Sequence, residues 1–240
     1  MSRWWCILCG KRNRESPAER EGMLCVACGS NWRVRSTALA VLIGTGSDWS
    51  PFPSVKANFF WRGLGTSDHM ALAGALSSRF DYTNSYYHRF PRLDLTSVEA
   101  DLHGFFGFVV CSDVLEHIPM HVDTALIGIR DLLAPHGFAV LSVPNGGADF
   151  QTKEFYPDLV DWEEHEGFIE WTDSQGRVHT DRNPEFHGGV GRTLAFRVWG
   201  GNDFRRQLLE AGMRIVNDVP FCPELGVPPV ENHGVFLAYR

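Results

Sequence analysis

The stretch GFVVCSDVLEHIP, residues 107–119, joins a predicted buried strand to a segment with helical spacing. Its two adjacent valines favour a β-strand, and Cys111, Ser112 and Asp113 follow them at once. In open α/β sheets, ligands bind outside the carboxyl ends of the strands. The stretch therefore predicts a ligand site at the tip of a core strand, lined by a thiol, a hydroxyl and a carboxylate.

Predicted strands and helices alternate around this stretch. Residues 81–87 and 91–95 are interpreted as short strands, and residues 120–137 as an amphipathic helix that a Pro-His-Gly run ends. Residues 138–145 form another apolar strand that ends in polar side chains. Strands that alternate with helices predict a doubly wound, mostly parallel α/β sheet.

The stretch RGLGTSD, residues 62–68, follows an aromatic run that favours a strand and precedes apolar residues at helical spacing. Strand, glycine turn and helix form the geometry in which a backbone approaches a nucleotide closely, because glycine has no Cβ. The third glycine of the dinucleotide fingerprint is missing, which disfavours NAD and FAD. The other glycine stretch, GTGSD at residues 44–48, has no strand before it and is interpreted as a linker turn.

Composition limits the class of protein. The 240 residues are 44% hydrophobic, enough for a large core and a small appendage. A net charge of −7 argues against a protein that coats nucleic acid through bulk charge. Because no stretch resembles a signal peptide or a membrane span, we expect a cytoplasmic protein without membrane contact.

Four of the six cysteines form two C-x-x-C pairs, Cys6 with Cys9 and Cys25 with Cys28, and a glycine follows each pair. Two such turns present four thiolates tetrahedrally, which predicts a structural Zn²⁺ site with no position open for a catalytic water. Two disulfides, spectator thiols and an iron–sulfur cluster are the alternatives. We expect loss of the metal to unfold about the first forty residues and to spare the sheet.

The expected organisation is a zinc-binding module over 1–35, a helix and linker over 36–54, and an α/β domain over 55–240. An insertion near residues 150–190 is expected to act as an acceptor lid. The module contains basic side chains that either contact nucleic acid or form a solvated surface. These are Arg3, Lys11, Arg12, Arg14, Arg20, Arg33 and Arg35.

The run FGFVVCSDVLEHIP…IRDLLAPHGFAVLSVPN resembles the fourth strand, following helix and fifth strand of the class I S-adenosylmethionine-dependent methyltransferases. The similarity spans residues 57–145 and implies a Rossmann-like, seven-stranded-type sheet, with S-adenosylmethionine as cofactor. GLGTSD resembles the glycine loop of that family, and LDLT, residues 93–96, resembles the segment that meets the adenine. The resemblance implies a set of cofactor-binding residues: Gly63, Gly65, Ser67, Asp94, Leu95, Cys111, Ser112 and Asp113.

The resemblance leaves two roles open at the strand tip. Cys111 either faces the cofactor or is only a small buried residue, and Asp113 either accepts from the α-ammonium group or anchors its loop. The acidic ribose ligand of the family has no counterpart, because the second strand runs into Tyr87 and His88. A non-catalytic, degenerate relative is therefore one alternative.

His187, in a glycine-rich turn, is the candidate general base for methyl transfer to oxygen, and a turn-capping role is the alternative. The same two roles, general base or structural residue, are open for His117.

The expected lid contains aromatic rings among carboxylates. These rings either bind a sugar ring or pack the lid onto the sheet. These rings are Phe155, Tyr156, Trp162, Phe168 and Trp171.

The expected function is O-methylation of a sugar, polysaccharide precursor or other small metabolite. The second hypothesis is an RNA methyltransferase that grips RNA with the basic zinc module.

Overall fold

A computed structural model describes residues 3–14, 22–187, 193–230 and 234–240 of the chain. The first elements are β1 (Arg3–Trp5), β2 (Arg12–Arg14), α1 (Trp32–Gly44), β3 (Arg62–Thr66), α2 (Met70–Ser77), β4 (Asp81–Ser85), β5 (Phe106–Ser112), α3 (Val122–Leu132) and β6 (Leu133–Ser142). They are followed by β7 (Lys153–Glu154), β8 (Leu159–His165), β9 (Phe168–Asp173), β10 (Val178–Asp181), β11 (Phe186–His187), β12 (Thr193–Leu194), β13 (Arg197–Val198), α4 (Gly201–Glu210), β14 (Ile215–Asp218) and β15 (Val235–Tyr239).

The central sheet contains six strands within these ranges, in the order β14-β15-β6-β5-β3-β4. Strand β3 pairs in parallel with β4 and with β5, and β5 pairs in parallel with β6. Strand β15 is antiparallel to both of its neighbours. The predicted doubly wound, mostly parallel sheet is confirmed.

The seventh strand that the family resemblance implies is absent from the described sheet. The predicted strand after β4 pairs only through one bridge, between Tyr86 and Arg92. Pro91 has no N–H to donate to a ladder. The carboxylate of Asp94 then accepts hydrogen bonds from the backbone N–H and the hydroxyl of Thr96, a local turn that competes with extended pairing.

Alternate side chains of β5 face two helical layers. Phe108 and Val110 are buried with α1 and α2, whereas Val109 and Cys111 are buried with α3 and α4. This alternation follows from the two-residue period of a strand. A parallel strand covered on both faces is apolar throughout its length, as the sequence predicts for this stretch.

Helix α1 forms a layer of the domain, because it packs on β6, β15 and β5. The sequence predicts a helix from Val34 to Gly44, and the structure begins it two residues earlier, at Trp32. Asn31 caps the helix by accepting a hydrogen bond from the N–H of Val34 at 2.9 Å. At the other end, a Cβ on Gly44 would approach the ring of Phe138 to 2.4 Å, so the helix end lies directly on the sheet.

The N-terminal segment contributes to the same core as α1, α2 and the sheet. Its buried members are Trp4, Cys6, Ile7, Leu8, Met23 and Cys25. The loop before β15 adds Cys222, Leu225 and Val227 to this core. Within the described residues, the cysteine turns and the sheet therefore share one hydrophobic interior.

The segment between β6 and α4, here called the lid, carries a separate antiparallel sheet in the order β10-β9-β8. Its small core consists of Tyr156, Leu159, Ile169, Trp171, Leu194 and Phe196. Two short pairs, β7 with β13 and β11 with β12, complete the lid. In the part of the chain that the structure describes, no helix combines the length and apolarity needed to cross a bilayer.

Candidate functional site

The connections of β3 and β5 leave the sheet on opposite faces. Helix α2, which follows β3, packs in one core, and α3, which follows β5, packs in the other. Adjacent parallel strands whose connections diverge in this way open a crevice at their carboxyl ends. The segment after Thr66 and the segment after Ser112 lie at this crevice, which is the edge where the sequence predicts a ligand site.

Gly63 and Gly65 lie inside β3, and each is needed for the close approach of a neighbouring side chain. A Cβ on Gly63 would lie 2.1 Å from the ring of Phe108. A Cβ on Gly65 would lie 2.1 Å from the hydroxyl oxygen of Tyr82 and 2.3 Å from Oδ2 of Asp68. Packing therefore accounts for both glycines. Of the predicted loop residues, exposed Ser67 makes the turn itself, with a φ of +63°.

Asp68 is a buried acid at this edge that the sequence analysis did not single out. It is 6% exposed. Its Oδ2 accepts a hydrogen bond from the hydroxyl of Tyr82, and its Oδ1 has no hydrogen-bond partner among the described residues. Asn84 holds its backbone, accepting from the N–H at 3.0 Å and donating to the carbonyl at 3.2 Å. Burial raises the pKa of the Asp68 carboxyl to about 7.

In the wild type, ionisation of the buried Asp68 carboxyl should lower the free energy of unfolding as the pH rises. We expect Asp68→Asn to remove this pH dependence. In the unfolded chain the Asp68 carboxyl loses its proton near pH 4, whereas in the folded chain its pKa is about 7. The free energy of unfolding therefore falls as the pH rises between these values. Relative to the wild type, the variant should gain up to roughly 4 kcal/mol between about pH 4 and pH 8, measured by urea unfolding. The exposed Asp81→Asn serves as control. Parallel pH profiles for wild type and Asp68→Asn would contradict the expectation.

A chain of hydrogen bonds connects the tips of β5 and β6. Ser112 donates to the hydroxyl of Ser142 at 3.1 Å, and Ser142 donates to Oδ1 of Asp113 at 3.1 Å. The backbone N–H of Asp113 donates to the carbonyl of Ser142 at 2.9 Å, and the φ of Asp113 is +53°. Cys111, one residue before Ser112, is fully buried, and burial raises the pKa of its thiol to about 12. This geometry matches the interpretation of Cys111 as a small buried residue.

Arg33 reaches this tip from the first turn of α1. Its guanidinium lies 3.0 Å from Oδ2 of Asp113, and the two side chains are 15% and 30% exposed. Both carboxylate oxygens of Asp113 therefore bind protein groups, one Ser142 and the other Arg33. These contacts match the loop-anchoring alternative for Asp113. Arg33 itself is a residue of the site that the sequence analysis placed only among the basic side chains of the module.

Asp94 and Leu95 lie beyond β4, after the isolated bridge between Tyr86 and Arg92. The Asp94 side chain forms the turn with Thr96 described above. Leu95 is buried, and its carbonyl would lie 2.1 Å from a Cβ on Gly128, so α3 approaches this segment closely. The structure thus places Leu95 under α3.

Arg197 fixes the turn after the β5 tip to the lid. Its guanidinium donates to the carbonyls of Leu115, Ile118 and Pro119 at 3.1, 2.6 and 3.1 Å. Its Nε pairs with the carboxylate of Glu154 at 2.8 Å. In the sequence, the only sign of this residue is a lone arginine in an apolar stretch.

The two candidate histidines differ in what the structure shows. The Nδ1 atom of His117 lies 2.8 Å from the carbonyl of Leu194, a contact that joins the turn after β5 to the lid. His187 has its backbone in β11, paired with Thr193. Its side chain lies outside the described part of the structure, as do residues 188–192.

The lid aromatics mainly pack against one another. Tyr156 and Trp171 are buried edge to face, and the ring of Trp162 lies edge-on to Phe196. One cavity in the lid has a volume of about 240 Å³ and combines acidic, basic, imidazole and aromatic groups. Its lining is Glu164, His165, Gly167, Phe168, Arg182, Asn183, Pro184 and Phe186.

A larger cavity of about 710 Å³ lies at the opposite edge of the sheet, before β3. The GTGSD stretch contributes Thr45, Gly46, Ser47 and Asp48 to its lining. The aromatic run that the sequence analysis interpreted as the start of a strand turns outward here, and Phe60 is fully exposed. The stretch at 44–48 therefore lies away from the carboxyl ends of the strands.

The four cysteines of the two C-x-x-C pairs form one cluster. Their Sγ atoms all lie within 4.8 Å of one another, with 3.6 Å between Cys6 and Cys28 and between Cys9 and Cys25. All four are free thiols, so the disulfide alternative does not describe them. A tetrahedral Zn²⁺ with Zn–S bonds near 2.3 Å separates its sulfurs by about 3.8 Å. The donor set therefore fits zinc.

The two turns of the cluster have the same geometry. Gly10 donates its N–H to the carbonyl of Cys6, and Gly29 donates to that of Cys25, at 2.8 and 2.9 Å. Both glycines have positive φ, +73° and +69°, which side chains disfavour. The side-chain amide of Asn13 lies 3.6 Å from the Cys25 sulfur. An amide donor of this kind stabilises a thiolate at that sulfur.

No protein-family model matches the chain, and no curated protein matches it. Among solved structures, it is similar to an amino pentose methyltransferase of Micromonospora echinaspora, with 16% identity, 88% of this chain and 92% of that chain covered, and a TM-score of 0.47. It is also similar to the sugar N-methyltransferase of Streptoalloteichus sp., with 13% identity, coverage of 88% and 89%, and a TM-score of 0.48. A 1,6-didemethyltoxoflavin-N1-methyltransferase of Burkholderia thailandensis shows 14% identity, coverage of 87% and 78%, and a TM-score of 0.46. The chain has an α/β fold with a mainly parallel central sheet and an N-terminal cysteine cluster.

Proposed function

We propose that this chain is an S-adenosylmethionine-dependent methyltransferase. The observation that carries the proposal is the crevice where the connections of β3 and β5 diverge. A nucleotide-containing cofactor binds at such a point in doubly wound sheets. Ser112 and Asp113, at the tip of β5, border this crevice, and the sequence of this tip is the one that resembles the methyltransferase family.

In this proposal the bound cofactor supplies an electrophilic methyl group. The chain holds the cofactor with the backbone around Ser67, the Asp94–Leu95 segment and the tip of β5. Its main contribution to rate is to hold the acceptor in line with the sulfur–methyl bond. His187 is the proposed base that removes a proton from an acceptor hydroxyl as the new bond forms.

We propose a small hydroxylated molecule, such as a sugar, as the acceptor. The lid cavity supports this class, because the Glu164 carboxylate and the Arg182 guanidinium both line it. Charged groups of both signs bind the hydroxyls of a sugar, whereas the Phe168 ring in this cavity stacks on His165. The buried Tyr156 and Trp171 are excluded from this role, because they form the lid core.

We also propose that Cys6, Cys9, Cys25 and Cys28 bind one structural Zn²⁺ ion. Four thiolates at tetrahedral spacing leave no open coordination position, so the ion would not activate water. Its role in this proposal is to hold the N-terminal turns against α1.

Isothermal titration calorimetry with S-adenosylmethionine tests the central proposal. We expect micromolar-order binding by the wild type. Asp94→Ala should weaken binding by about tenfold, because it removes both a cofactor contact and the turn with Thr96. Asp101→Ala, an exposed acid seven residues further on, is the matched control and should bind as the wild type does. Absence of detectable binding by the wild type would favour the non-catalytic alternative.

A further inference from the structure

We propose that Arg33 binds the α-carboxylate of S-adenosylmethionine, so that the cysteine module supplies a cofactor-binding group. This inference rests on the proposed function. The methionine end of the cofactor carries a carboxylate and an ammonium group. A carboxylate at a partly buried site needs a cationic or N–H donor partner, because it loses hydration there.

Arg33 lies beside Asp113, the residue for which the family resemblance implies a contact with the α-ammonium group of the cofactor. Its guanidinium pairs with Asp113 at 3.0 Å, at the tip of β5 and beside the crevice. Asp113 is itself fixed by Ser142 through two hydrogen bonds. The carboxylate of Asp113 therefore orients the guanidinium before any ligand arrives. A pre-oriented guanidinium loses little entropy on binding, and its planar donors match a carboxylate.

Helix α1 contributes a partial positive charge beside the Arg33–Asp113 pair. Arg33 is the second residue of this 13-residue helix, in its first turn. The N-terminus of a helix carries a partial positive charge that favours anions. The first turn contains no acidic side chain to offset this charge. The helix terminus and the guanidinium therefore act with the same sign on a bound carboxylate.

The cysteine turns determine where Arg33 sits. It follows Cys28 by five residues, and the hydroxyl of the intervening Ser30 contacts the Cys28 sulfur at 3.2 Å. Asn31, the next residue, caps α1. A metal ion on the four sulfurs would thus fix the start of the helix that presents Arg33. In this interpretation, the cysteine module lines one side of the cofactor site.

Calorimetry with two probes tests the assignment. S-adenosylhomocysteine contains the amino-acid end of the cofactor, whereas 5′-methylthioadenosine lacks it. We expect Arg33→Met to lower the affinity for S-adenosylhomocysteine by about tenfold or more. The affinity for 5′-methylthioadenosine should change by less than about twofold. Arg33→Lys keeps the charge but not the planar donors and should give an intermediate loss. Arg12→Met, an exposed arginine of the same module, is the control and should change neither affinity.

The outcomes separate this inference from the proposed function. If the wild type binds neither probe, the proposed function fails and the assignment of Arg33 fails with it. If the wild type binds both and Arg33→Met binds both equally well, the cofactor proposal stands and the role of Arg33 is overturned. An equal loss for both probes, with a lowered melting temperature, would assign Arg33 to folding and would also overturn it.

Discussion

Removal of the metal from the four-cysteine site is expected to destabilise the whole domain. The prediction from sequence, that the sheet is spared, assumes a module with its own interior. In the structure, Trp4, Ile7 and Met23 are buried in the same core as α1 and the sheet. Structural Zn²⁺ in small finger peptides contributes roughly 10–16 kcal/mol of apparent binding free energy, which is lost when a chelator removes the ion. We therefore expect a lower melting temperature and faster hydrogen exchange that extends into α1 and β6.

Calorimetric melting and hydrogen exchange, with and without chelator, provide the measurement. Metal analysis should find about one Zn²⁺ per chain in the wild type. Cys6→Ser should reproduce the effect of the chelator. Cys222→Ser is the matched control, because Cys222 is a buried thiol of the same core that lies outside the cluster. Full protection of the α1 and β6 amides from hydrogen exchange in the presence of chelator, while the amides of the cysteine turns exchange, would contradict the expectation. The shared core would then not couple the stability of the cysteine turns to that of the sheet.

Arg35→Met is expected to lower the free energy of unfolding by about 3 kcal/mol or more, because it leaves buried carbonyls without donors. Arg35 is fully buried in α1. Its guanidinium donates to the carbonyls of Gly226, Ser30 and Met23 and stacks on Trp4 at 4.2 Å. It joins α1 to the cysteine turns and to the loop before β15. Burial lowers the pKa of the guanidinium to about 10, so it stays charged at neutral pH.

Urea unfolding of the metal-loaded protein measures this effect. Arg35→Lys keeps the charge but cannot reach three carbonyls at once, so it should recover only part of the loss. Arg12→Met, in the same module but exposed, should stay within about 0.5 kcal/mol of the wild type. A loss for Arg35→Met no larger than that of Arg12→Met would show that other donors replace the guanidinium.

The candidate site was predictable only in part. The stretch at residues 107–119 placed Ser112 and Asp113 at the end of a core strand, and the structure confirms that position. The partners of Asp113 were not predictable, because Arg33 is distant in sequence and belongs to another element. Asp68 was missed for a similar reason: a short polar residue before a helix is typical of a cap, and its burial depends on Tyr82 from the adjacent strand.

The sequence by itself determined the features that depend on neighbouring residues. Apolar runs ending in polar tips predict the parallel strands, and the C-x-x-C-Gly spacing produces two turns of equal geometry around the Cys6 to Cys28 cluster. Only the tertiary structure decided that Arg33 meets Asp113 and that Arg35 meets Gly226. Those contacts join elements that the chain order keeps far apart. Hydrophobic periodicity reports which face of each element is buried, but not which polar side chain of another element lies opposite it.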